Sequence, residues 1–467
     1  MFNKLYKWHH RIGLLITLPI LGWCISGLTH PMMAHLFKIK PAKRFLMPTA
    51  HKLDSTSISL EEALVQHDIK TFSNFRLINY QEQTYYQIIK KGEETLYINT
   101  ATNRKLKNGD QEYAKYLARY FLGDEESSIT SIAKLNQFTF EYKFINRLLP
   151  VYKVSFDRVD LMDVYVETSS SRLGTMNNWT RKTCIAIFSY LHNWSFLQGM
   201  PTLKLFLMLA FMAMAFFVAA SGLTIYGFLW KTFQKQKPSK SSNNRKWHRR
   251  IGLMVSISTL GFAFSGGYHA FAKSNAAKTV SVEAPVFVRS TIEQFPKLMD
   301  KTGDRLIKNI SMVQIGTENF FQVSWMEKAT ETSYFNANTL ERLGEGEERY
   351  AIHLASKYST LPSDKILSTT SIQKFEGEYG FINKRLPVTK VQYDTKEKNS
   401  VYIETSSGKL AATISAPKRL EALSFLMLHK YHFIDPIGKT IRDIIIVSLI
   451  LGIMLVNILG VVLWLKK

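Results

Sequence analysis

The sequence predicts an α-helical membrane bundle of four transmembrane helices plus two α+β modules on its outer side, written as an internal tandem repeat. Three observations predict it. Four runs, Ile12–Phe37, Leu205–Trp230, Ile251–Ala272 and Ile444–Leu465, contain no Asp, Glu, Lys or Arg and are 26, 26, 22 and 22 residues long. Motifs of the first half recur in the second at near-constant spacing. Polar stretches with strand-like alternation separate the apolar runs.

About 20 apolar residues cross a bilayer core as a helix, so every run is long enough. A buried helix of a soluble protein can mimic one such run; four argue against a soluble fold. The first run is too long for the apolar core of a signal peptide, lacks an evident small-residue cleavage site, and has a counterpart inside the chain. It reads as a retained anchor.

The 467-residue chain carries a net charge of +23. Lys231–Arg250 holds eight Lys/Arg and no acid, the N-terminus adds Lys4, Lys7 and Arg11, and the chain ends in Lys466 and Lys467. Threading four helices puts all three segments on one side. The positive-inside rule makes that side cytoplasmic, with both termini there. This placement explains 13 of the 23 charges without nucleic acid. The remaining excess falls mostly on the outer segments, where it suits anionic lipid, an anionic substrate, or a plain solvated surface.

The repeat organises everything else. Trp8-His9-His10-Arg11-Ile12-Gly13-Leu14 returns as Trp247-His248-Arg249-Arg250-Ile251-Gly252-Leu253, and Ser26-Gly27 with His30 returns as Ser265-Gly266 with His269, all 239 residues on. At a spacing of 237, Phe144-Ile145-Asn146 returns as Phe381-Ile382-Asn383, Val164–Ser170 as Val401–Ser407, and Leu191-His192 as Leu428-His429. The expected organisation is N-terminus and first helix at 1–37, first outer module at 38–200, second helix at 201–230, basic loop at 231–250, third helix at 251–272, second module at 273–436, and last helix at 437–467. Within the modules Thr84–Ile89 and Glu94–Asn99 read as strands. Gln111–Leu122 and Arg349–Tyr358 read as helices. Thr180–Trp194 and Lys418–Phe433 read as amphipathic helices at the outer surface.

Six of the twelve histidines sit at matched positions: His9/His248, His30/His269 and His192/His429. His9 and His30 are 21 residues apart, about 31 Å of helix and about 60° around it, so one helix presents an imidazole near each membrane surface. Haem iron takes neutral imidazole axially, and bis-histidine ligation gives an electron carrier. Helix bundles assemble such sites from facing helices. Gly13, Gly27, Gly252 and Gly266 leave room for a flat macrocycle beside these residues. Arg11, Arg250, Arg181 and Arg419 are candidates to meet its propionates or another anion. His10, His35 and His432 have no match, and His51, His67 and His353 read as surface residues of the modules.

Other readings stay open. A histidine near a helix end is commonly an interfacial side chain, and small residues at spacing four are common in plain membrane helix packing. A metal transporter usually brings carboxylates or a broken helix to mid-membrane, and the runs hold no acid and only Pro19 as a break. The two cysteines, Cys24 and Cys184, form no metal-type spacing.

At these residues the chain resembles the PepSY-associated transmembrane family. The resemblance rests on the Trp-His-x-Arg-x-Gly opening and Ser-Gly end of the first helix, the Leu-His-x-Trp lead-in at 191–194, and the Ser-Gly-Leu…Trp close at 221–230. Leu428–Tyr431 and the last helix depart from that pattern. The outer modules are similar in size and order to PepSY domains. The family includes iron-regulated inner-membrane proteins and ferric-siderophore reductases with two b-type haems. The resemblance therefore implies a bacterial inner-membrane protein with periplasmic modules and His9, His248, His192 and His429 as first-choice haem b ligands. His30 and His269 are further candidates. Whether His192 pairs with His30 or with His429 stays open. The implied substrate is a ferric chelate. No glycine-rich dinucleotide fingerprint appears, so electrons are expected from an external donor, a quinol or a reductase. The second class of function is non-enzymatic: PepSY modules also accompany protease inhibition, so a membrane-anchored regulatory or binding protein fits too.

Overall fold

The computed structural model describes residues 2–46, 57–236, 243–274, 282–303, 305–326 and 331–466. His51 and residues 237–242 of the basic loop lie outside these. The chain forms two compact units: one of Met1–Ile39, Trp179–Lys278 and Ala416–Lys467, the other of Lys40–Asn178 and Thr279–Ser415.

The first unit is helical. Its long helices are α1 (Phe2–His35), α2 (Pro201–Leu223), α3 (Asn243–Ser274) and α4 (Lys439–Leu465). All four are long and apolar enough to cross a membrane. The charged residues before Ile12 and Ile251 continue α1 and α3 as helix, because long basic side chains reach water from beyond an apolar core. Pro19 and Pro31 sit inside an unbroken α1. Each helix packs on two neighbours, in the ring α1–α2–α3–α4 and back to α1. Ile16, Ile20, Cys24, Ala215, Val255, Ile450 and Ile453 fill the middle. Leu18, Phe206, Met254, Ile257 and Ile444 point outward and stay exposed. Apolar side chains all round a helix mark one that meets lipid rather than water.

Two shorter helices precede α2 and α4. Trp179–Ile187 runs into a π-turn at Phe188–His192, and Ala416–Ser424 into a π-turn at Phe425–His429. The expected surface helices at Thr180–Trp194 and Lys418–Phe433 therefore end earlier. These segments belong to the helical unit, so the module boundaries expected at 200 and 436 move back to Asn178 and Ser415.

The second unit is α+β and all its sheets are antiparallel. Three-stranded sheets form from Asn74–Tyr80, Gln83–Ile89 and Leu96–Asn99, and from Ile307–Ile315, Glu318–Trp325 and Thr332–Asn336. Four-stranded sheets form from Ile129–Leu135, Val151–Phe156, Asp163–Glu167 and Arg172–Asn177, and from Ile366–Ile372, Val388–Tyr393, Ser400–Glu404 and Lys409–Ile414. Helices Gly109–Leu122 and Gly346–Tyr358 cover them. The two stretches share one core: Leu60, Phe72, Phe75 and Tyr86 pack with Phe287, Phe295, Ile310 and Phe321. A short pairing of Thr71–Phe72 with Phe287–Val288 stitches them. At Gly109 and Gly346 a methyl group would lie 2.6 Å from the Tyr97 and Tyr334 rings, so only glycine lets these helices approach.

Buried charge joins the halves of this unit. Glu167 and Glu404 are fully buried. Arg385 bridges them, donating from Nη2 to Glu167 Oε1 at 3.2 Å and from Nη1 to Glu404 Oε2 at 2.8 Å. Lys409 Nζ reaches Glu167 at 2.8 Å, and Arg172 pairs with Glu404. Burial alone would raise both carboxyls, but the Lys409 and Arg385 charges outweigh it at Glu167, and Arg172 and Arg385 do so at Glu404. Both are held below the ordinary carboxylate range.

Candidate functional site

The six matched histidines do not share one environment. His192 closes its π-turn with Nδ1 3.1 Å from Ser26 Oγ on α1, and Trp23 Nε1 donates to the His192 carbonyl at 3.3 Å. His429 closes the other, with Nδ1 3.3 Å from Ser265 Oγ on α3. A π-turn holds one extra residue, which re-aims the side chain at its end, and such turns gather at functional sites. Phe188 stacks on His192 at 4.4 Å, and Phe425 on His429 at 4.7 Å. The His192 and His429 rings then meet, 6.3 Å between centres and near-perpendicular at 89°. Burial pulls the pKa of His192 down to about 4 and that of His429 to about 3, so both are neutral.

At the opposite end of the bundle, His9 Nδ1 lies 2.8 Å from Ser221 Oγ on α2, and His248 Nδ1 lies 3.1 Å from the Val456 carbonyl on α4. His9 and His248 belong to α1 and α3, which face each other across the ring, and they lie within electrostatic range of one another. A methyl group on Gly222 would come within 3.2 Å of His9 Cε1, and one on Gly460 within 3.5 Å of His248 Cε1.

These four imidazoles share a plan. In each, Nδ1 is engaged by a serine hydroxyl or a backbone carbonyl, which fixes the ring and makes Nε2 the nitrogen that could coordinate a metal. A metal–imidazole bond is about 2 Å. With about 1 Å from nitrogen to ring centre, two imidazoles across one iron have centres about 6 Å apart. The His192–His429 separation fits a bis-histidine haem iron.

His30 and His269 differ. His30 is exposed, with its ring edge-on to Phe188. His269 Nδ1 pairs with Glu421 and its ring stacks on Phe425. His35 pairs with Asp443, His432 with Asp435, and His67 hydrogen-bonds the Asn103 carbonyl. Of the expected glycine gaps, only Gly266 adjoins a candidate ligand, 3.9 Å from His429 Cε1; Gly13, Gly27 and Gly252 face Val218, Ile450 and Val456. Arg11 and Arg250 are exposed, while Arg181 and Arg419 are half-buried on the lead-in helices. Burial pushes the Arg181 guanidinium below its ordinary pKa. Lys430, next to His429, is likewise pushed down to about 8 by burial and by Arg442. Among the described residues, no group of three or more His, Cys, Asp or Glu is placed to hold a bare metal ion.

Sequence reasoning missed Gly460 and Glu421, and it read Ser26, Ser265, Ser221 and Gly222 only as repeat or family-motif markers, not as partners of the histidines. Phe188 and Phe425 carried a usable signal, since they share the 237-residue spacing of the histidines they stack on.

The helices and the α+β unit define a class: a membrane protein with four candidate spanning helices and a folded module of antiparallel sheets. Residues 153–467, more than half the chain, match the family described as the PepSY-associated TM region, and the chain belongs to it. No curated protein matches the chain.

Proposed function

We propose that this protein is a haem b-containing electron-transfer protein of the bacterial inner membrane that reduces a ferric chelate in the periplasm. Its halves arise by duplication, its termini are cytoplasmic, and its α+β unit is periplasmic. The observation that carries the reading is the His192–His429 pair: two neutral imidazoles delivered by π-turns, oriented by Ser26 and Ser265, at a ring separation suited to one iron. His9 and His248 form the second ligand pair. From His9 to Ser26, α1 rises about 25 Å, so the two pairs serve opposite faces of the membrane.

Haem b held by such pairs supplies a one-electron carrier. The chain's residues do the rest. Ser26, Ser265 and Ser221 hold the imidazole rings in place. Phe188 and Phe425 pack against the outer pair and keep water from it. Outer-sphere electron transfer calls for no catalytic acid or base. The electron donor in this reading is an external quinol or reductase.

The test is a reduced-minus-oxidised spectrum of the purified protein after expression with ample haem. A b-type α-band is expected, diminished by His9→Ala, His248→Ala, His192→Ala or His429→Ala and retained in His30→Ala. A flat spectrum overturns the proposal and favours a membrane-anchored regulatory protein.

A further inference from the structure

We propose that the seam between the two halves of the α+β unit binds a small soluble polyanion, a polycarboxylate or similar oxyanion cluster, through Arg147, Arg172 and Lys308. The seam carries more positive charge than its own acids balance. Besides Arg385 and Lys409, it holds Arg147, Arg172 and Lys308, against the two carboxylates Glu167 and Glu404. The nearby Glu141 and Glu378 are already matched by Lys153 and Lys390. Arg172 Nη2 also donates to the Leu386 carbonyl at 3.2 Å, across the seam. Lys384 Nζ reaches the Gly174 carbonyl and Asn146 Oδ1 in the other direction. Tyr379 lies within electrostatic range of Arg385, Arg172 and Arg147, and Arg172 within range of Lys308.

Two buried donors here have no hydrogen-bond acceptor among the described residues: Arg147 Nε and Arg172 Nη1. A buried guanidinium N–H without an acceptor is costly, and planar guanidinium groups suit carboxylate-like oxygens. Arg147 also sits at φ +64°, a left-handed backbone that non-glycine residues rarely adopt, and Lys384 does the same at +62°. The Arg147 guanidinium lies over the Phe144 ring, 4.8 Å from its centre, and Lys384 reaches across to the Gly174 carbonyl. Burial lowers the pKa of Arg147 and of Lys308, as expected for cations held without enough counter-charge. Arg172 and Lys409 keep 23% and 30% of their side-chain surface, so the seam opens to solvent. The outer positive excess thus has a focus. That the bound anion is the ferric chelate rests on the proposed function; the anion site itself does not.

The test is calorimetric titration of the full-length protein in neutral-detergent micelles at low ionic strength, with citrate and, separately, monomeric short-chain phosphatidylglycerol. Saturable citrate binding is expected, weakening with salt. It should fall about tenfold or more in Arg147→Gln and in Lys308→Gln, the loss of one charge-assisted contact. Neither change touches the Arg385 bridge, and a melt of each variant identifies any folding defect, in which case the other variant decides. No citrate binding, equal affinity in wild type and both variants, or binding of the lipid alone overturns the proposal. The haem spectrum, recorded on the same samples, reports separately on the electron-transfer reading.

Discussion

Replacing Arg385 with methionine removes the cation shared by two fully buried carboxylates. Its two hydrogen bonds, at 2.8 and 3.2 Å, go to groups with no exposed surface. Breaking a buried pair by deleting one partner costs about 3–5 kcal/mol. Lys409 stays on Glu167 and Arg172 on Glu404, so the lower end, about 3 kcal/mol, is expected. At about 1.4 kcal/mol per decade, that is on the order of a hundredfold increase in local opening. Hydrogen exchange of the full-length protein in micelles, followed in peptides covering Asp163–Glu167 and Ser400–Glu404, reads this directly. The sign of the pH dependence follows from the depressed carboxyl pKa values. Their stabilisation is complete above the unfolded glutamate value of about 4.3 and is lost as pH falls toward the lower folded values. Wild-type protection in these strands should therefore drop in acid, and less steeply in Arg385→Met. Unchanged exchange in the variant at neutral pH would refute the claim that this network holds the halves together.

Three further outcomes are expected. Ser26→Ala and Ser265→Ala should weaken haem retention about 10–100-fold while leaving the fold intact, measured by haem titration followed at the α-band, because the hydroxyls orient the ligand rings. Gly222→Ala and Gly460→Ala should perturb the spectrum through the His9/His248 pair, since the added methyl meets those rings at 3.2 and 3.5 Å; an unaltered spectrum in both would argue against ligation there. Gly109→Ala and Gly346→Ala should each destabilise the α+β unit by about 1–3 kcal/mol in thermal melts, because backbone or tyrosine must move to admit the methyl.

The spanning helices were legible because lipid forbids charge, and a run without Asp, Glu, Lys or Arg is visible in any sequence. Their ends were less so: α3 starts at Asn243 rather than Ile251, since Arg245, Lys246, Arg249 and Arg250 form helix as readily as the apolar residues that follow. The strand at Leu96–Asn99 and the helices at Gly109–Leu122 and Gly346–Tyr358 fell close to expectation, carried by local periodicity. The shared core and the Thr71–Phe72 pairing to Phe287–Val288 were not legible, because they depend on contacts some 200 residues apart. Glu167 and Glu404 were visible only as matched residues. Their strands are buried on both faces, a property set by neighbouring elements rather than by alternation. For the candidate site, the spacing picked out six histidines but could not tell an exposed His30 from an oriented His192. That distinction comes from which helix supplies the hydroxyl.

The two π-turns make the positions of His192 and His429 sensitive to how the helix is wound as well as to composition. Were residues 188–192 rewound as regular α-helix with no change of length, His192 would swing by about 100° around the helix axis. The imidazole would leave Ser26 and face away from its partner, although every side chain named here would still be present. Relatives of this chain that wind this segment as regular α-helix at the same length would thus keep all the histidines on paper yet fail to bring this pair together.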